Sequence, residues 1–171
     1  MEFTFETTYD RKATTAMAKG LRKTVRKKHS RRSHFFGWIV IILGLLLSWP
    51  SEAGIEQKNV ITWIVIAILL LVTVFEDRLN GWLARKRMLP GSVHSKVCFR
   101  EDGYRSETAA GNTDWKYETI TAMAETKDYF VFLFGKNHAQ VHDKRTMTGG
   151  TPEEFRAFLQ EKTGKDIETL K

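Results

Sequence analysis

The side chains best suited to chemistry are few, and their spacing brings few of them together. His138 and His142 stand four apart. On a strand that places both on one face with Cα atoms roughly 13 Å apart, too far to share a metal whose ligands sit at about 2 Å. Surface strand histidines are the expectation, and no metal site. Cys98, the single cysteine, would be a reactive thiol only if an adjacent base lowered its pKa; between Val97 and Phe99 it reads as a small buried or half-buried side chain. Glu101, Asp102 and Glu107 with Tyr104 have the residue types of an acid/base cluster, yet Asp102-Gly103 has the composition of a hairpin turn. No glycine-rich phosphate loop, HExxH, nucleophile elbow or EF-hand occurs. The expectation is a chain that is not an enzyme and needs no cofactor.

The remaining candidates are charges and aromatic rings. The first 34 residues hold 10 of the 27 basic and 3 of the 20 acidic residues, which is the whole of the net charge of +7. The densest run, Arg22 to Arg32, contains Arg26, Lys27, Lys28, Arg31 and Arg32, expected to contact lipid. Asp10 to Arg32 also sets Ala13, Met17, Leu21 and Val25 four apart, a narrow apolar stripe on a helix that could run straight into the apolar segment beginning at Phe35. Either the basic run docks on anionic lipid, each cation contributing roughly 1 kcal/mol, or it only orients the chain. It lies against an apolar segment and lacks interleaved aromatics, which speaks against nucleic acid.

Two windows, Phe35 to Trp49 and Val60 to Phe75, run 15 and 16 residues without a charge. At ~1.5 Å per residue they cover about 23 Å, short of a ~30 Å hydrocarbon core, so flanks such as Ser33, His34, Pro50, Ser51, Lys58 and Asn59 must complete each span. Trp38, Trp49, Trp63 and Trp82 suit headgroup depth. Neither window keeps a polar face, as a soluble helix would. A signal peptide cleaved near Ser51-Glu52-Ala53 would have far too long a leading region. Arg78, Arg85, Lys86 and Arg87 come after the second window, while the short connection holds only Lys58 against Glu52 and Glu56. Retention of cations on the cytoplasmic side then predicts a multi-pass hairpin with both termini cytoplasmic.

After Pro90-Gly91 the pattern alternates, with turns at Glu101-Asp102-Gly103, Ala110-Gly111-Asn112, Lys127-Asp128 and Gly135-Lys136-Asn137. This predicts a meander of about six strands. Tyr129 to Phe134 is apolar on both faces, as in a strand covered on both sides. Thr151-Pro152-Glu153-Glu154 starts a helix with a reciprocal cap. Phe155, Phe158 and Leu159 form its apolar stripe, and Gly164 ends it. Phe3 and Phe5 alternate with polar neighbours, a strand predicted to pair with the sheet across the hairpin. The organisation is therefore 1–9 N-terminal strand, 10–34 basic amphipathic helix, 35–90 transmembrane hairpin and 91–171 cytoplasmic β domain with a C-terminal helix: an α+β membrane protein.

Phe99-Arg100-Glu101-Asp102-Gly103-Tyr104, Trp115-Lys116-Tyr117-Glu118-Thr119-Ile120, Lys127-Asp128-Tyr129-Phe130 and the Phe155 to Leu159 helix resemble a pleckstrin-homology-like or GRAM-like domain. With two spans ahead of it, the chain is similar to the YcxB-like family of bacterial membrane proteins. That resemblance implies a bacterial cytoplasmic membrane and a small antiparallel β domain capped by a helix, with no established reaction or cofactor. Lys96, Arg100 and Arg105 superficially match the basic groups of phosphoinositide-binding relatives of that fold, but analogy of fold does not choose a ligand. The expectation is a non-catalytic membrane-anchored scaffold or regulatory protein. The alternatives are self-immunity against a toxin or bacteriocin, and an anionic lipid-headgroup module. Membrane lipids and an unidentified protein or peptide, received at a sheet edge or beside the helix, are the partners. Tyr104, Trp115 and Tyr117 are the aromatic candidates for holding such a partner, the alternative being that all three fill the β core. Oligomeric state is not legible, although Gly44 offers a close-approach point.

Overall fold

The computed structural model describes residues 2–49 and 56–170. Pro50, Ser51 and the rest of the short connection up to residue 55 lie outside them. Among the described residues the chain is α+β, with five α-helices and two four-stranded sheets.

The chain begins with β1 (Phe3–Thr8), whose Phe3 and Phe5 face inward and are fully buried. Helix α1 (Arg11–Lys23) is capped by Asp10, which accepts from the Ala13 N–H at 2.7 Å; such a cap contributes about 1 kcal/mol. The helix does not run on into the apolar segment. It ends at Thr24, whose hydroxyl donates to Gly20 O at 2.7 Å, and a new helix, α2 (Lys27–Leu47), starts within the basic run. Of its 21 residues, about 31 Å of helix, the first eight, Lys27 to His34, still belong to the basic run, and the apolar part runs from Phe35 to Leu47. Helix α3 (Gln57–Val74) has 18 residues. Both are long and apolar enough to cross a membrane, and most of their side chains are uncovered by protein.

Gly44 is the contact point between them. A Cβ there would lie 3.0 Å from Ile66 Cδ1, and the Trp63 indole N–H donates to Ser48 Oγ at 2.9 Å. The close approach suggested by Gly44 thus serves the neighbouring helix of the same chain. The chain then breaks at Phe75 into a separate charged helix, α4 (Glu76–Lys86).

Next come β2 (His94–Arg100), β3 (Gly103–Thr108) and β4 (Gly111–Trp115) as an antiparallel meander, and β1 lies beside β2 with Phe3 opposite Phe99 and Thr8 opposite His94. A 3-10 turn at Tyr117–Thr119 ends this sheet. The predicted single meander is thus divided, and Tyr117 belongs to the turn rather than to a strand. β5 (Ala122–Glu125), β6 (Tyr129–Leu133) and β7 (Ala139–Asp143) form the second sheet. A short β8 (Ile167–Thr169) adds to it in parallel with β5, a strand the sequence pattern does not announce.

Helix α5 (Pro152–Thr163) carries the full reciprocal cap between Thr151 and Glu154 and ends at Gly164 in the left-handed conformation. Its Phe155 packs 4.8 Å from Phe5 and 4.9 Å from Phe99. The aromatic core lies between the sheets and this helix, with Phe130 and Phe132 of β6 pointing into it. The opposite face of β6 is Val131, flanked by Tyr129 and Leu133, and it is covered by α1. Gly20 admits that approach, since a Cβ there would lie 2.7 Å from Val131 Cγ1. The apolar stripe of the basic lead-in is therefore spent on protein, with Ala13 and Leu21 buried against the sheet.

Candidate binding cleft

The strongest junction lies where α1 crosses α4. Gly81 places α4 directly on the backbone of α1: a Cβ there would lie 2.8 Å from Thr15 N and 2.9 Å from Thr14 C. At the other end of the crossing, Arg22 grips Asp77 with two hydrogen bonds of 2.6 Å and approaches Glu76 at 3.6 Å. The hydrogen bond to Asp77 raises the guanidinium pKa further, so Arg22 stays charged. Glu76 also meets His34 Nε2 at 2.6 Å. One acidic pair at the start of α4 thus ties α1, α2 and α4 together. Sequence reasoning takes 76–87 only as a flank of the second apolar run. The one available signal is Glu76-Asp77 at a helix start, where acids are favoured.

Between these helices and the outer strands lies a cleft of about 1190 Å3. One wall is α1 and the start of α2, with Leu21, Arg26, His29 and Ser33. Another is α4 and its exit, with Asn80, Leu83, Arg87 and Met88. The strand side carries Ser95, Ser106, Thr113, Trp115 and Gln140. Tyr9 borders the cleft, but burial pushes its phenol up to about 12, which leaves it neutral.

Of the predicted aromatic trio, only Trp115 reaches this surface. It is half-buried, 4.8 Å from Phe134 and stacked over Tyr104 at 6.2 Å. Its indole N–H is covered and has no hydrogen-bond partner among the described residues. Tyr104 and Tyr117 are core residues, correcting their reading as partner contacts. Tyr104 stacks on Phe99 at 4.7 Å and its hydroxyl donates to Gln140 Oε1 at 3.0 Å. Tyr117 donates to Arg100 O at 2.6 Å, closing the first hairpin over the core. Burial raises both phenols far above their ordinary range.

The basic run is divided in its commitments. Arg26 donates to Lys136 O and Asn137 Oδ1, both at 2.6 Å. It is held by the β6–β7 turn, where both of its acceptors are neutral oxygens. Lys27 approaches Glu168 at 3.5 Å, while Lys28, Arg31 and Arg32 are exposed. The three cations of the first hairpin each face an acid: Lys96 with Glu6 at 3.7 Å, Arg100 with Glu2 at 3.7 Å, and Arg105 with Asp114 at 2.7 Å.

The histidines separate. His138 is exposed beside Trp115, whereas His142 is fully buried among Phe5, Phe99, Tyr104 and Phe132, correcting its placement on the surface. Neither ring nitrogen of His142 has a partner among the described residues, and burial pushes its pKa down to about 3. No group of three or more His, Cys, Asp or Glu side chains positioned for a metal occurs among those residues.

Cys98 donates to Glu2 Oε1 at 2.6 Å; burial and that carboxylate both raise its thiol pKa. Glu101 pairs with Lys162 at 2.5 Å, Asp102 occupies the turn, and Tyr104 points inward, so the imagined acid/base cluster does not converge. An ion network absent from the sequence reading joins Glu125 to Lys144 at 2.6 Å and Arg156 at 3.0 Å. Burial alone would raise the Glu125 carboxyl, but those two cations outweigh it and hold it below its ordinary range.

A family described as YcxB-like protein matches residues 99–159, from the end of β2 through most of α5. No curated protein and no solved structure matches the chain.

Proposed function

For a chain whose residues 99–159 form a YcxB-like segment, we propose the role of a non-catalytic scaffold or regulatory protein of a bacterial cytoplasmic membrane. In this reading α2 and α3 are the spans, both termini are cytoplasmic, and a pleckstrin-like β domain is presented at the inner surface. The observation that carries the reading is the α1–α4 junction. Arg22 on Asp77, with the backbone contact at Gly81, fixes the β domain to the base of the hairpin. A tether alone needs no such bracing, whereas a surface presented to a partner at a set height and angle does.

The charge pattern supports the orientation, with Arg31 and Arg32 exposed on α2 just before its apolar stretch. The test combines alkaline extraction of membranes with photo-cross-linking from Asn112 beside the cleft and, as a control, from Gln160 on α5. Retention in the membrane and adducts from position 112 alone are expected. Release by alkali, or equal adducts from both positions, would refute the reading. Arg31→Glu combined with Arg32→Glu is expected to disturb orientation, read by protease access from outside intact cells.

A further inference from the structure

We infer that the cleft between α1, α2, α4 and the outer strands holds the headgroup of an anionic membrane phospholipid. The inference rests on the membrane placement proposed above and names the ligand of that same surface. Its position is the first argument. Ser33 and Glu76 line one end of the cleft, two residues before Phe35 and two after Val74, where the apolar parts of α2 and α3 begin and end. A ligand entering there can leave its acyl chains in the bilayer.

The second argument is charge. Arg22, Arg26 and Arg87 line the walls against the single carboxylate of Glu76. Glu76 is already met by His34 and Arg22, and Arg22 is committed to Asp77. Of these three arginines, two have no carboxylate partner among the described residues: Arg26, held by neutral oxygens, and Arg87. Guanidinium forks suit phosphate oxygens.

The third argument is the lining, which matches an amphiphile. Leu21, Leu83 and Met88 are apolar, while Ser30, Ser95 and Thr113 present hydroxyls to a polar headgroup. The volume, about 1190 Å3, exceeds the common range of small-ligand sites.

The full chain in detergent, titrated with phosphatidylglycerol or phosphatidylcholine and observed by native mass spectrometry, tests this. One phosphatidylglycerol per chain is expected, bound at least tenfold more tightly than phosphatidylcholine. Arg87→Ala is expected to weaken it about tenfold, Arg87→Lys to restore part of the loss, and Lys127→Ala, on the distant β5–β6 turn, to change nothing. Equal retention of the two lipids, or no effect of Arg87→Ala in a variant with unchanged melting, would overturn the inference. So would glycerol phosphate competing as well as the whole lipid, since that identifies a soluble ligand. Failure of the chain to insert into vesicles would instead defeat the membrane reading, whereas insertion without lipid selectivity defeats this inference alone.

Discussion

Acidification should destabilise the β domain through His142, and the size of the effect can be worked out. The imidazole is enclosed by Phe5, Phe99, Tyr104 and Phe132, with no hydrogen-bond partner for either nitrogen among the described residues. Its folded pKa lies at about 3, against 6.5 for the free side chain. Below 6.5 the unfolded chain takes up a proton that the folded chain refuses. Stability is therefore complete above that pH and falls through the window from 6.5 towards 3. At pH 5.0 the difference is about 1.5 pH units of binding, or about 2 kcal/mol at 1.36 kcal/mol per unit. For a chain of this size that corresponds to roughly 4–8 °C in melting temperature. His142→Leu removes the titrating group, and the other histidines are common to both proteins. Stopping at pH 5.0 avoids Glu125 and Asp143, whose depressed carboxyls lose their contribution only at lower pH. The assay is thermal melting in detergent at pH 7.5 and 5.0. Parallel losses in the parent and in His142→Leu would refute the reasoning.

Other substitutions probe the joints. Gly81→Ala sets a methyl group against the Thr14–Thr15 backbone and should cost about 1–3 kcal/mol, read as a lowered melting temperature. Glu125→Ala leaves Lys144 and Arg156 without their shared acid. A loss of about 3 kcal/mol is expected by denaturant titration, and a change under about 1 kcal/mol would contradict the network. Tyr117→Phe removes the donor to Arg100 O and should cost about 1 kcal/mol, with faster amide exchange in the Glu101–Asp102 turn.

The alternation of Phe3 and Phe5 and the Thr151–Glu154 cap are visible in the sequence because each is a local pattern with one physical meaning. Tyr129 to Leu133 is readable as a strand apolar on both faces, but its second cover is not. The stripe of Ala13 and Leu21 has two suitable partners, lipid and Val131, and only tertiary packing chooses between them. His142 is misplaced for a related reason. Residue type argues for the surface, whereas position opposite Phe130 in the strand pair argues for the core. The cleft is illegible because Arg26, Arg87 and Trp115 lie far apart in sequence and meet only through the α1–α4 crossing. Arg22 and Asp77, 55 residues apart, carry no local mark of their pairing.

The pairing of β1 with β2 sets an order of events during synthesis. Thr8 must wait for a neighbour 86 residues later, so the first strand leaves the ribosome long before the rest of its sheet exists. If α2 and α3 insert as they emerge, the sheet can close only when both crossings have been completed and the chain has returned to the side where it began. A product with one missed crossing would leave Phe3 and Phe5 stranded from Phe99 by a bilayer, unable to fold and open to degradation. Closure of the β domain would then act as a proofreading step for the insertion of the hairpin.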